Sequence, residues 1–359
     1  MRPRNLRALA IAALFSTACA GSVHAAGGFR VFVSNERSGD VTVIDGAKLE
    51  AIGTFPVGKR PRGIHPAPDG KTVYVALSGT PIEGPPELDA NGNPVFKRDQ
   101  ADDDDDEDAS DKAADGVGVI DVATLKMVKK ISVGSDPEEF DISADGKQLF
   151  VSNEDVKASS LIDIASGKVA RIVSLSQEPE GVAVSPDGKR LYVTCETGGD
   201  IFVIDIATFK VVGQVKVGAR PRSVAFVQGG KFAVVPSESA GQLYVIDTAS
   251  IAIVKTVPLP KGARPMRLRV SADGKKLYAS TGRAGTVAVL DSDTFALLDD
   301  IKVGQRPWGI GISPDGKYLF SANGPSNDVS VVDLVAGKEI SRIKAGESPW
   351  GIAIVADRD

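Results

Sequence analysis

The chain has 359 residues, with 42 Lys and Arg against 47 Asp and Glu, and a formal net charge of −5 at pH 7. That balance excludes sequence-independent binding to nucleic acid or to an anionic membrane, since both need clustered positive charge. Two cysteines are too few for a disulfide framework, and no run approaches the roughly 18 apolar residues of a membrane-spanning helix.

Arg2, Arg4 and Arg7, an apolar run over residues 9–20 and the small-residue site Val23-His24-Ala25 have the anatomy of a secretory signal peptide. Cleavage after Ala25 is expected, leaving residues 26–359 as a single periplasmic domain. Loss of three arginines takes the charge from −5 to −8 and leaves His65 and Cys195 as the last of their kinds. The mature chain cannot form an internal disulfide and must rely on its core. Cys19 is a poor lipidation site, because Ser16-Thr17-Ala18 precedes it.

Next come three short β-branched stretches, Arg30-Val-Phe-Val-Ser, Asp40-Val-Thr-Val-Ile-Asp45 and Ala51-Ile-Gly-Thr-Phe, and then a motif that dominates the rest. Val-Gly-x-x-Pro or a close relative recurs with its proline at Pro61, Pro137, Pro179, Pro221, Pro265, Pro307 and Pro349. All intervals but the first are near forty residues, a period that marks a repeat architecture. Within each unit an apolar stretch leads to a Pro/Ala-Asp-Gly turn such as Ser185-Pro-Asp-Gly188. A second strand, a polar loop and a third strand ending in Asp follow, as in Ile201-Phe-Val-Ile-Asp205, and then a turn and a fourth strand. The expected fold is all-β: a seven-bladed β-propeller of four-stranded antiparallel blades. Only one strand remains after Pro349, so the N-terminal strands should pair with it and close the ring, removing exposed sheet edges.

The long first interval holds an insertion over residues 79–116, with Pro81, Pro85, Pro86 and Pro94, then an acidic run over residues 102–108. Its composition predicts disorder. Asp89, Asn91 and Asn93 alternate oxygens as a calcium loop does, but Pro94 stands where that loop needs Gly. Calcium is therefore only weakly indicated.

Pro-loops and second loops should share one face, the top. Around it the residues flanking the prolines change from acidic (Asp136, Glu138, Glu139, Glu178, Glu180) to basic (Arg220, Arg222, Arg264, Arg267, Arg306) to aromatic (Trp308, Trp350), with Arg60 and Arg62 beside the last. Glu36, Glu154, Glu196 and Glu238 occupy one equivalent position in the second loop. The expected ligand- or partner-binding residues are Arg60, Arg62, Arg220, Arg222, Arg264, Arg267, Arg306, Trp308 and Trp350. Arginine offers bidentate geometry to carboxylates and phosphates, and tryptophan offers an apolar face. The bland alternative is that these arginines pair with neighbouring glutamates. Glu138, Glu154, Glu178 and Glu180 are the weak candidates for a metal.

No catalytic constellation stands out. His65 replaces a small residue of the innermost strand and, alone, reads as a hydrogen-bonded histidine rather than a ligand. Cys195 has no histidine in its repeat, and Asp69-Gly70-Lys71-Thr72 lacks the first glycine of a P-loop. A non-catalytic binding protein is the expectation. The alternatives are a lactonase-like hydrolase acting in the channel and a direct carrier of a cofactor or metal.

Tyr192-Val-Thr-Cys195, Val31-Phe-Val-Ser-Asn35, Phe150-Val-Ser-Asn153 and Phe320-Ser-Ala-Asn323 resemble the repeat of the YVTN-family propellers, over the whole mature chain. With the signal peptide and the early acidic insertion, the chain most resembles the periplasmic members associated with pyrroloquinoline-quinone (PQQ)-dependent alcohol catabolism. That resemblance implies a non-catalytic accessory scaffold with a quinoprotein dehydrogenase or c-type cytochrome as partner, and PQQ as a cofactor to test; a monomer is expected.

Overall fold

The computed structural model describes residues 28–82, 87–88, 94–95 and 110–357. The leader, Asp89 to Asn93 and the acidic run at 102–108 lie outside these residues. No helix among the described residues is long and apolar enough to cross a membrane.

Seven four-stranded antiparallel sheets form the ring, as the repeat predicts. Blades are numbered here by their inner strands: Ile64–Pro66, Pro137–Ile142, Pro179–Val184, Ala225–Val227, Leu268–Val270, Pro307–Ile312 and Pro349–Ala356. Blade 7 takes its other strands from the opposite end of the chain, Phe29–Asn35, Asp40–Asp45 and Glu50–Pro56. Phe29 pairs with Ala356 and Ile352 with Val33. The ring therefore closes through backbone hydrogen bonds.

The core is divided among seven apolar clusters, one between each pair of neighbouring blades. Phe32, Ala353 and Val73, for example, join blade 7 to blade 1. The middle strands of each sheet are buried on both faces and read as near-continuous apolar runs, while the outer strands are largely exposed. Phe32, Phe140, Phe150 and Phe320 are fully buried, and truncating one to Ala would cost about 3–5 kcal/mol.

On the bottom face the Asp-Gly turns close as predicted. Ser143 Oγ donates to Asp145, which also accepts the Lys147 amide, and Gly146 takes a φ of +70°. On the top face strand-end serines bridge blades. Ser34 donates to the carbonyl of Arg62, Ser152 to that of Glu180, and Ser280 to that of Trp308, each at 2.6 Å. The carbonyl held is always that of the residue just after a repeat proline. The repeated hydroxyl thus fixes the backbone from which the channel-mouth side chains project.

Candidate functional site

The residue before six of the seven repeat prolines is bent into the left-handed region. Arg60, Asp136, Glu178, Arg220, Arg306 and Ser348 have φ between 42° and 59°, a conformation that side chains rarely adopt unless their surroundings impose it. At four of these six positions the second loop of the same blade holds it in place. The amides of Glu36, Glu154, Glu196 and Glu238 donate to the carbonyls of Ser348, Asp136, Glu178 and Arg220, at 2.7 to 3.0 Å. The same bonds fix where the four glutamate side chains begin.

Three charged groups result. The first surrounds Arg62, which is buried, with its guanidinium on Asp136 at 2.7 Å and on Glu138. Ser78 donates to Asp136 at 2.5 Å. Carboxylate oxygens of Asp136, Glu138 and Glu154 lie within 4.8 Å of one another. Burial raises the Asp136 pKa, but Arg62 and Arg60 outweigh it and hold it below the usual carboxylate value. Burial, followed by the charges of Glu138 and Asp136, pushes Glu154 well above that value.

The second group surrounds Arg222. Its Nη1 meets Glu180 at 2.5 Å and also Glu196, and its Nη2 meets Glu238 at 2.6 Å. Arg220 adds contacts to Glu196 at 2.6 Å and Glu238 at 3.0 Å. Burial raises the Glu238 pKa, but the two arginines bring it down to about 2. Burial raises Glu180 well above the usual range; Arg222 opposes it, and the neighbouring Glu196 reinforces it. Burial also raises Glu196, yet Arg222 and the hydrogen bond from Glu180 leave its net pKa lowered. One carboxyl of this pair is thus pushed up and the other down.

The third group crosses the channel. Glu139 of blade 2 accepts from Arg267 of blade 5 and lies 2.7 Å from His65 Nε2 of blade 1. Burial would raise the Glu139 pKa, but Arg267 and His65 lower it to about 2. Gly63 makes room: a Cβ there would stand 2.4 Å from Glu139 Oε1. Below, burial and the Arg267 charge lower the Arg269 pKa to about 10.

Above this bridge lies a cavity of about 20 Å³, lined by Glu180, Arg222, Met266, Arg267, Trp308 and Trp350. That is room for about one water, so a larger ligand would rest on the mouth and not enter it. The two tryptophans meet edge to face, with centroids 6.0 Å apart. Arg267 stacks on Trp350 at 5.5 Å and Arg306 on Trp308 at 5.1 Å. Trp308 Nε1 is buried with no hydrogen-bond partner among the described residues.

The nine predicted binding residues therefore share the top face, but acid and base do not separate into sectors. Arg60 pairs with Glu36, and Arg62, Arg220, Arg222 and Arg267 are each clamped by carboxylates as above. Arg264 donates to the carbonyls of Glu238 and Ser239. Interleaving is the electrostatic consequence of burial, since an unpaired buried charge is costly. The four metal candidates do not converge either. Glu138 and Glu154 join Asp136, with the Arg62 guanidinium bonded among them. Glu180 belongs to Arg222, and Glu178 accepts from Thr197. Cys195 is buried, which pushes its thiol up to about 11.

Residues 100–184 match a family described as YNCE-like β-propeller, and residues 182–343 match the seven-bladed β-propeller lactonase family. No curated protein sequence matches significantly. Among solved structures, hydrazine synthase of Kuenenia stuttgartiensis is similar at 24% identity, covering 84% of this chain and 91% of that one, with a TM-score of 0.69. A candidate 6-phosphogluconolactonase of Bacteroides uniformis is similar at 18% identity, covering 92% and 100%, with a TM-score of 0.72. One of Bacteroides fragilis is similar at 19% identity, covering 93% and 99%, with a TM-score of 0.70. At these identities the structures establish the fold alone. The closeness to quinoprotein-associated propellers expected from the sequence is not among these matches.

The lactonase match overturns the expectation of a non-catalytic protein, because a lactonase is an enzyme that opens cyclic esters. That expectation rested on finding no contiguous catalytic motif. A propeller brings one or two residues per blade to its channel, so its chemistry is spread over the whole chain.

Proposed function

We propose that the protein is a hydrolase of cyclic esters and that the lactone sits on the top mouth of the channel, against Trp308 and Trp350. The observation that carries this reading is the carboxyl pair Glu180 and Glu196, clamped on one nitrogen of Arg222, with Glu180 in the wall of the mouth cavity. Two carboxyls whose surroundings drive their pKa values apart are an acid and a base in waiting.

The ionised Glu196 takes a proton from water as its oxygen attacks the lactone carbonyl. Arg222 and Arg267 face the negative charge that develops on the carbonyl oxygen. Glu180 gives its proton to the ring oxygen as the C–O bond breaks, leaving an open hydroxy acid. The proton taken up by Glu196 then returns to Glu180 along the hydrogen bond between them. Met266 and the two indoles supply the apolar surround that strengthens these charge interactions.

The test is proton release by the mature protein from a panel of γ- and δ-lactones, neutral and carboxylated. Glu180→Gln should lower kcat by about 100-fold or more, the usual scale of general acid catalysis. Absence of turnover across the panel, or undiminished turnover by Glu180→Gln, would overturn the reading.

A further inference from the structure

A cleft of about 550 Å³ opens on the top face between blades 5 and 6, away from the channel. Lys302 of blade 5 and Arg342 of blade 6 form its sides, Arg283 and Pro325 come from the two second loops, and Gln305 and Arg306 come from the Pro-loop between the blades. Four of these six side chains are cationic, and no carboxylate lines the cleft. Its volume falls within the ordinary range for small-molecule sites.

Pairing separates this cleft from the rest of the face. Arg342 has its own counter-ions, Glu339 at 2.8 Å and Asp328 at 3.9 Å. Arg283, Lys302 and Arg306 make no ion pair and donate no side-chain hydrogen bond among the described residues. This happens in a chain with more acidic than basic residues, on a face where Arg60, Arg62, Arg220, Arg222 and Arg267 are all neutralised. Arg306 is half-buried, its backbone is fixed at a φ of 49°, and its guanidinium sits over the Trp308 ring at 5.1 Å from the centroid. Its five N–H donors are therefore positioned but unused. Burial lowers the Arg306 pKa; Glu238 opposes this, and Arg222, Arg283 and Arg220 add to it. A bound anion would relieve that crowding.

We propose that this cleft binds a small ligand with two or more negative charges, of the phosphate or polycarboxylate class, held by Arg283, Lys302 and Arg306. Guanidinium forks suit both chemistries. The site is separate from the Glu180–Glu196 pair and does not depend on the lactonase reading.

Calorimetric titration of the mature protein with inorganic pyrophosphate and, separately, with citrate tests it. Saturable single-site binding of at least one anion, weakened by added salt, is expected. The double variant Arg283→Gln, Lys302→Gln should weaken it at least tenfold, while Lys129→Gln on the outer strand of blade 1 leaves it unchanged. Retention in Arg283→Lys, Lys302→Arg would show that lost charge and not lost structure is responsible. Preference for pyrophosphate or for citrate assigns the class. No binding of either anion at millimolar concentration, or equal binding by the double Gln variant, overturns the proposal.

Discussion

Glu139 and Arg267 form an ion pair across the channel, although one stands on blade 2 and the other on blade 5. Each occupies the second position after its repeat proline, where the other blades carry Gly63, Gly181, Ser223, Gly309 and Gly351. Small residues there let neighbouring strands approach, as at Gly309, where a Cβ would lie 2.4 Å from the Trp350 carbonyl. Two blades give up that economy, and their side chains bar the channel.

This pair should govern acid stability. Glu139 has a folded pKa of about 2 against an ordinary 4.5. Its contribution, on the order of 3 kcal/mol, is therefore fully present above the unfolded value and lost as pH falls from 4.5 towards 2. Denaturant unfolding followed over that window should show a steep acid limb that flattens in Glu139→Gln. An unchanged limb in the variant would refute the assignment.

Gly63→Ala tests the same bridge without touching a charge. The added methyl collides with Glu139 Oε1, so the carboxylate must leave His65 or Arg267. A loss of about 1–3 kcal/mol, read as a lower urea midpoint, is the expected outcome. Gly53→Ala is the control, since a Cβ there has nothing within 4 Å.

Arg62→Met removes the cation from among Asp136, Glu138 and Glu154. Breaking a buried pair in this way typically costs about 3–5 kcal/mol. The three carboxylates left within 4.8 Å then form an acidic cage without a counter-ion. The variant's thermal midpoint should rise with millimolar calcium, by a larger margin than that of the parent. Equal calcium responses would show that the guanidinium does not occupy a cation's place.

The pH–rate profile follows from the second carboxyl pair. Glu196 must be ionised and Glu180 protonated, so kcat should fall at low pH as Glu196 takes up a proton and at high pH as Glu180 loses one. Glu180→Gln should remove the alkaline limb and leave the acid limb in place. A variant that keeps both limbs would assign the alkaline limb to another group.

The blade count, the turn chemistry and the closure by both chain ends were legible because each is written repeatedly or at a fixed period. The mouth residues were legible for the opposite reason: Trp308, Trp350 and the arginines stand out where the repeat varies. That the arginines pair with neighbouring glutamates was legible as the bland alternative; which glutamate each one meets was not. A list of residues around a ring shows neighbours but not the reach of side chains, and Arg222 meets glutamates from both its own and the preceding blade. The signal for Glu139 and Arg267 was present as the two departures from glycine or serine at one register position, with opposite charge. The proposed acid–base pair is hidden from the sequence for a related reason. Glu180 and Glu196 belong to different loops of one blade and resemble no linear motif.

Blade 7 also sets the order of events during synthesis. Phe29–Asn35 emerges early, yet its inner partner Pro349–Ala356 is translated more than three hundred residues later, as the separation of 327 between Arg30 and Asp357 conveys. Until then the growing chain is an open arc with two unsealed strand edges, and pairing across so long a loop is slow. The ring can lock only after nearly all of it has left the ribosome. Shortening the closing strand would therefore release the whole circle and not merely fray one blade.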